Sequence, residues 1–372
     1  MTSDTRPTAR AVQAWPLVVP VLGVLVLAVT FGKHAPPVVV VVVAVVLAGA
    51  VLAAVQHAEV IAHRLGEPFG SLVLAVAVTV IEVALIVTLM TSGGPKAESL
   101  ARDTVFAAVM ITTNGIVGLS LLVGARRFGT TSFHAEGTGA ALATVVSLAT
   151  LSMVLPTFTS SEPGPRFSPG QLTFAALASL VLYGTFVLTQ TVRHRDFFLP
   201  MSSKAGSSRE PVEDEHAAPP PAKAAWTSLV LLLLALVAVV GLAKVESHAI
   251  EAGVKAIGFP PTFVGVVIAL LVLLPETLAA VRAATRDRVQ TSLNLAYGSA
   301  MASIGLTIPA IALASFWFED PLLLGLGGVQ IVLLALTVVV SILTVVPGRA
   351  TRLQGAVHLV LFAGFVFLSI SP

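Results

Sequence analysis

Residues 72–90, LVLAVAVTVIEVALIVTLM, form an apolar run of membrane-spanning length with one ionisable residue, Glu82, near its middle. A bilayer core offers no water to the backbone, so such a run must satisfy its own N–H and C=O groups and folds as a helix. A carboxylate at that depth costs at least about 2.5–3.5 kcal/mol on insertion scales, which makes it a functional candidate by default. The ordinary alternative is a protonated Glu hydrogen-bonded to a neighbouring helix. A second apolar run, FVGVVIALLVLLPETLAAV (263–281), carries Glu276. The question therefore concerns a pair of acids.

Other apolar runs fill most of the 372 residues, and only 11% of the chain is charged. Soluble domains carry about 25%. The expected fold class is an all-α polytopic membrane protein. The absence of cysteine excludes disulfides, thiolate metal sites and cysteine nucleophiles. No phosphate loop, nucleophile elbow or redox motif stands in the sequence, so a transporter is expected rather than an enzyme, without cofactor or nucleic-acid partner. The expected partners are inorganic cations, protons and the lipid bilayer. The run from Trp15 to Phe31 is long enough to span, and no small-residue cleavage site follows it.

The periodicity and breakers predict eleven helices, at 15–32, 36–63, 67–92, 102–124, 134–156, 169–191, 225–245, 260–284, 289–317, 321–346 and 350–371. Gly93-Gly94-Pro95 ends the third. The second turns amphipathic in HAEVIAHRLGEP (57–68), which places His57, Glu59, His63 and Arg64 at the membrane edge. Residues 193–224, rich in Ser, Pro and charge, read as a disordered linker. Its acidic cluster of Glu210, Glu213, Asp214 and Glu215 reads as part of a solvated tether. With a cytoplasmic N-terminus, fifteen Lys and Arg fall in inside segments. Six fall outside: Lys33, Lys96, Arg102, Arg166, Lys244 and Lys255. That asymmetry predicts the N-terminus and linker inside and the C-terminus outside.

Glu82 and Glu276 lie 194 residues apart, and at that shift Phe69 meets Phe263 and Ala75 meets Ala269. Each acid is followed by a helix rich in small and polar residues, VFAAVMITTNGIVGLSLLVGARR in the first half and LNLAYGSAMASIGLTIPAIALA in the second. The chain then divides into an N-terminal segment with a leading helix (1–35), a five-helix repeat (36–192), the linker (193–224) and a second five-helix repeat (225–372). Five being odd, the repeats have opposite orientations, the architecture of secondary transporters with a midplane site.

Two midplane carboxylates can neutralise one divalent cation or hold protons, and competition for the same oxygens yields exchange. Ca²⁺ takes roughly six to eight oxygens, so further ligands are needed. Thr79, Thr112, Thr113, Asn114, Asn294, Ser299 and Ser303 are candidates. So is the Leu271 backbone carbonyl, because Pro275 has no N–H to occupy it. Gly115, Gly118, Gly298 and Ala300 permit close helix approach. His57, with Glu59 beside it, is a candidate for gating or proton transfer. His358, alone in the last helix, reads as a hydrogen-bonded packing residue. Arg282, Arg286 and Arg288 follow the positive-inside pattern.

HAEVIAHRLGEP (57–68), GEPFGSLVLAVAVTVIEVALIV (66–87) and LLPETLAAVRAATRDRVQTSLNLAYGSAMASIGLTIPA (273–310) resemble bacterial Ca²⁺/H⁺ antiporters of the ChaA type, in the cation/Ca²⁺ exchanger superfamily. The resemblance spans essentially the whole chain. It implies that Glu82 and Glu276 are the acids of the two α-repeats and that access alternates by movement of peripheral helices past a more static core. Exchangers of the wider superfamily carry Gly-Asn-x-x-Glu here, whereas these acids follow VTVI and VLLP without an Asn. The group is also associated with Na⁺ and K⁺ exchange. The expected function is export of cytoplasmic Ca²⁺ against H⁺, with Na⁺(K⁺)/H⁺ antiport as the alternative and a passive cation channel further off.

Overall fold

The structure is a computed structural model that describes residues 7–32, 36–66, 69–91, 97–201, 220–317 and 321–371. The acidic cluster of Glu210, Glu213, Asp214 and Glu215 and the Gly93-Gly94-Pro95 breaker lie outside the described residues. In chain order the helices are α1 (Pro7–Thr30), α2 (Pro37–Leu65), α3 (Phe69–Thr91), α4 (Leu100–Met110), α5 (Val117–Phe128), α6 (Ala135–Ala149) and α7 (Pro169–Leu188). They continue with α8 (Ala222–Ala256), α9 (Phe263–Val272), α10 (Leu274–Ala284), α11 (Val289–Gly305), α12 (Thr307–Ala314), α13 (Gly328–Val345) and α14 (Arg352–Ile370). A π-helical segment, Ile111–Ile116, fuses α4 and α5 into one rod. Single-residue breaks at Leu273 and Leu306 divide α9 from α10 and α11 from α12.

Among the described residues, nine helical spans are long and apolar enough to cross a membrane, ten when the bent α9–α10 pair counts as one. Ala14–Thr30 is a shorter apolar helix in the place of the leading helix. The protein is an all-α multi-pass membrane protein. Among the described residues the strand content is a two-residue antiparallel pairing of Thr131–Ser132 with Arg349–Ala350.

Three expected boundaries differ most. The first predicted helix, expected from 15, begins as α1 at Pro7. The seventh predicted helix, ended at 245, continues as α8 to Ala256. The charges that end the apolar run there, Lys244, Glu246 and Lys255, do not end the helix, because Lys and Glu are good helix formers. The tenth, expected from 321, begins as α13 only at Gly328. Residues 321–327 are non-helical despite four leucines, since Gly325 and Gly327-Gly328 favour such a path and a neighbouring segment supplies partners. Gly325 N–H donates to the Pro165 carbonyl at 2.8 Å, and Leu326 N–H to the Met153 carbonyl at 2.8 Å. The root of the linker is also ordered. The π turn Thr189–Arg193 extends α7, and Arg195–Phe198 forms a 3₁₀ turn.

The chain forms two compact units, each drawing on both sides of the linker. One comprises Met1–Ser92 and His216–Gly253, the other Gly93–Glu215 and Val254–Pro372. In the first, α2 packs between α1 and α3, and α1 approaches α8 where Gly23 faces Ala238 and Gly241 faces Leu27. The second holds the remaining helices, with α14 on α5, α9 on α4 and α10 on α11.

The α5–α14 crossing depends on glycine. A Cβ at Gly355 would lie 2.6 Å from the Leu122 backbone nitrogen, and one at Gly118 would lie 3.0 Å from the Gly355 carbonyl oxygen. Without a hydrophobic driving force between helices in lipid, such backbone approach is a main source of association. Gly355→Val is expected to destabilise the protein by about 1–3 kcal/mol, read as a lower midpoint of thermal unfolding in detergent; an unchanged midpoint would sink this account of the crossing.

Candidate functional site

Glu82 sits on the buried stripe of α3. It is 2% exposed and Thr79, three residues earlier, 7% exposed, in line with Val78, Ile81, Leu85, Ile86 and Leu89. Val76 and Val80 occupy the opposite, exposed face. The stripe follows from the 3.6-residue period. It places the carboxylate and the Thr79 hydroxyl on one side of the helix.

Glu276 has a different setting. Pro275 follows the break at Leu273, where α9 and α10 meet at 54°. Glu276 therefore lies in the first turn of α10, where unpaired N–H groups and the helix dipole complement negative charge. The break has partial compensation. Thr277 returns both its N–H (2.9 Å) and its Oγ1–H (2.7 Å) to the Leu273 carbonyl. Pro275 has no N–H for the carbonyl of Leu271. Leu271 and Glu276 are both half-buried. Among the described residues no three His, Cys, Asp or Glu side chains gather.

The rod formed by α4 and α5 is π-helical where the polar residues fall, at Ile111–Ile116. Such bulges are frequent at functional sites. The Thr112 hydroxyl donates to the Ala108 carbonyl at 2.8 Å, and the Thr113 hydroxyl to the Val109 carbonyl at 2.6 Å. Asn114 reaches across to the last two helices. Its Nδ2 donates to Thr337 Oγ1 at 2.9 Å, and its Oδ1 lies 3.1 Å from His358 Nδ1. His358 is hydrogen-bonded in the core, also meeting Thr344 Oγ1 at 3.1 Å.

On α11, Ser299 is half-buried and Ser303 buried. Ser292 donates to the Ala280 carbonyl at 2.9 Å, tying α11 to α10. Asn294 has another employment: its Nδ2 donates to the Phe198 carbonyl at 2.6 Å, and its Oδ1 accepts from Gln290 Nε2 at 2.8 Å. That residue anchors the root of the linker, whose Phe198 packs edge-on against Phe186.

His57, which the amphipathic pattern places toward the membrane edge, is buried within the first unit. Pro20 has no N–H for the Pro16 carbonyl one turn earlier in α1. His57 Nε2 fills the gap at 2.9 Å, leaving Nδ1 to accept from Ser228 Oγ at 3.3 Å. Glu59, two residues on, is exposed, so these two candidates point to different faces of α2.

Two acids escaped the sequence reading. Asp103, near the start of the fourth predicted helix, is buried and paired with Arg102 at 2.8 Å, with Ser99 Oγ donating at 3.0 Å. Glu246 fell beyond the expected end of its helix, yet it is buried on α8. Its position in line with Leu242 and Val239 was the available signal.

A bundle of membrane-spanning helices in which two acid-bearing helices are each followed by a small-residue rod, one acid opening a half-helix, defines the class of secondary transporters with broken spans. The chain belongs to the sodium/calcium exchanger protein family, which matches residues 35–192 and 227–371. It is 44% identical over its full length to a putative ionic transporter, y4hA, of Sinorhizobium fredii, which it covers completely. It is 35% identical to the sodium-potassium/proton antiporter ChaA of Escherichia coli, over 94% of each chain. Among solved structures the fold is similar to native YfkE, with a TM-score of 0.73 and 16% identity over 96% of this chain and all of that one. It is also similar to the H⁺/Ca²⁺ exchanger CAX, with a TM-score of 0.64 and 15% identity over 96% and 92% of the two chains.

Since His57 supplies the donor that Pro20 removes, His57→Leu is expected to destabilise the protein by about 1–3 kcal/mol through the stranded Pro16 carbonyl. A denaturant series on purified protein measures it, and no shift in midpoint would show the bond to be dispensable.

Proposed function

We propose that the protein is a secondary active antiporter that exports cytoplasmic Ca²⁺ in exchange for H⁺, with Glu82 and Glu276 as the two carboxylates for which cation and proton compete. The observation that carries this reading is the setting of the acids. One is buried on a membrane-spanning stripe beside Thr79, and the other stands in the first turn after a break inside a span. Both positions suit a carboxylate that gains and loses a cation, and family membership supports exchange as the use made of them. Two carboxylates balance one divalent charge. Thr79, Asn114, Ser299, Ser303 and the Leu271 carbonyl are the proposed neutral oxygens. His57 and Glu59 are proposed for gating or proton transfer at the first unit. The repeats at 36–192 and 225–372, joined by the 193–224 linker, are proposed to have opposite orientations, with the N-terminus in the cytoplasm and the C-terminus outside an inner membrane.

A second reading, Na⁺(K⁺)/H⁺ antiport, is favoured by the name of the relative from Escherichia coli. The same two acids would serve it, with one of them keeping its proton while a monovalent ion is bound.

In everted vesicles with an established pH gradient, Ca²⁺ is expected to dissipate the gradient, and Glu82→Gln and Glu276→Gln each to abolish the response while the protein still inserts. Wild-type exchange in either variant would end the paired-carboxylate mechanism. A response to Na⁺ or K⁺ without one to Ca²⁺ would transfer the assignment to the second reading. No response to any of the three cations would end the antiporter reading.

A further inference from the structure

The buried polar chain through Asn114 has a fixed direction. Asn114 Nδ2 can only donate, and it does so to Thr337 Oγ1 at 2.9 Å. Its Oδ1 can only accept, so His358 Nδ1, at 3.1 Å, carries the proton. His358 Nε2 is then the acceptor for the Thr344 hydroxyl at 3.1 Å. All four side chains are buried. Both atoms of the Asn114 amide are engaged, so its plane is set by α13 and α14. Turning Oδ1 toward any other partner breaks two hydrogen bonds at once.

The π segment that carries Asn114 packs against α10 and α11 as well as against α14. It therefore borders both the half-helix that opens with Glu276 and the helix that holds Ser299 and Ser303. Only the oxygen of an amide can ligate a cation, and in Asn114 that oxygen is held by the imidazole.

We propose that His358 is a positioning residue that competes with the transported cation for the Asn114 side-chain oxygen. The proposal rests on the antiporter reading above and on Asn114 serving among its neutral ligands. The Thr113 backbone also bonds the imidazole. The bond from His358 to Asn114 lowers cation affinity and speeds release, which suits a carrier that must empty its site on each cycle. The ring's place is set by Gly118, where a Cβ would lie 2.9 Å from His358 Cβ. Among the described residues, no charged side chain from any packed element bonds the ring. The charges on those elements stand at helix ends, with Arg126, Arg127 and Arg352 at one end and Arg102 and Asp103 at the other.

The test separates affinity from rate. Cation-dependent proton flux is measured in everted vesicles over a range of Ca²⁺, Na⁺ and K⁺ concentrations. Loss of one neutral hydrogen bond corresponds to about a fivefold change in affinity. His358→Leu is therefore expected to lower the half-saturating concentration by about fivefold and to reduce the maximal rate. His358→Asn, whose Nδ2 can stand where Nδ1 stood, is expected to restore the wild-type half-saturating concentration. In an Asn114→Leu background, His358→Leu is expected to change nothing further. A merely structural role would lower the rate without tightening the site. Thr337→Val frees the other side of the same amide and is expected to tighten the site too, which keeps the test open if His358→Leu does not insert. Unchanged or weaker affinity in both variants, or tightening that persists without Asn114, would overturn the proposal. Those outcomes are read with wild-type flux present, whereas loss of the antiporter reading would show in the wild type itself.

Discussion

Within a bilayer a backbone carbonyl or N–H that leaves its helix has no water to turn to. Several departures from regular helix among the described residues are accordingly matched by a local partner. Pro20 strips the Pro16 carbonyl of its donor, and His57 replaces it at 2.9 Å. The break before α10 leaves Leu273 at a helix start, and Thr277 closes on it with backbone and side chain together. The π segment at Ile111–Ile116 widens one turn, and the Thr112 and Thr113 hydroxyls fold back onto the Ala108 and Val109 carbonyls of the turn before it. The non-helical stretch ahead of α13 borrows its partners from the Met153–Pro165 region. Irregular backbone in such a setting is confined to places where another segment completes it. Those places also concentrate oxygen atoms.

The same constraint governs the polar side chains. Asn294 bonds the linker root and Gln290, Ser292 bonds the Ala280 carbonyl, and Asp103 bonds Arg102 and Ser99. Small residues allow this economy of partners. With no Cβ at Gly118 and Gly355, α5 and α14 come close enough for His358 to reach Asn114. Packing and polar pairing are one arrangement here. The glycines set the helix spacing, and the spacing decides which hydroxyl or amide finds which partner.

Much of the fold was legible along the chain. The eleven expected helices all have counterparts, because a span must be long and apolar and that pattern is local. The misplaced ends have a common cause. Apolarity and helicity part company at α8, where Lys and Glu prolong the helix past the apolar run to Ala256. They part again at 321–327, where leucines sit in a non-helical chain. The first error hid Glu246. Glu82 and Glu276 stood out because an acid inside an apolar run needs no tertiary information to be noticed. Asp103 did not, because an acid near a helix start is common and its burial depends on Ser99, Arg102 and Gln330.

By itself the sequence determined the class of fold, the order of the helices, the two acids inside apolar runs and the missing N–H at Pro275. These depend on hydropathy, on a missing N–H and on the cost of a charge in lipid, all of which are properties of a short stretch. Only the tertiary structure decided which neutral side chains are already spoken for. Nothing near Asn114 in the chain says that its amide meets Thr337 and His358, 223 and 244 residues away. Nothing near His57 says that it completes a proline-broken helix 41 residues earlier. Hydrogen-bond partners across helices follow from rotation and spacing of whole helices. Those are set by the sum of their packing contacts and cannot be read from any one stretch.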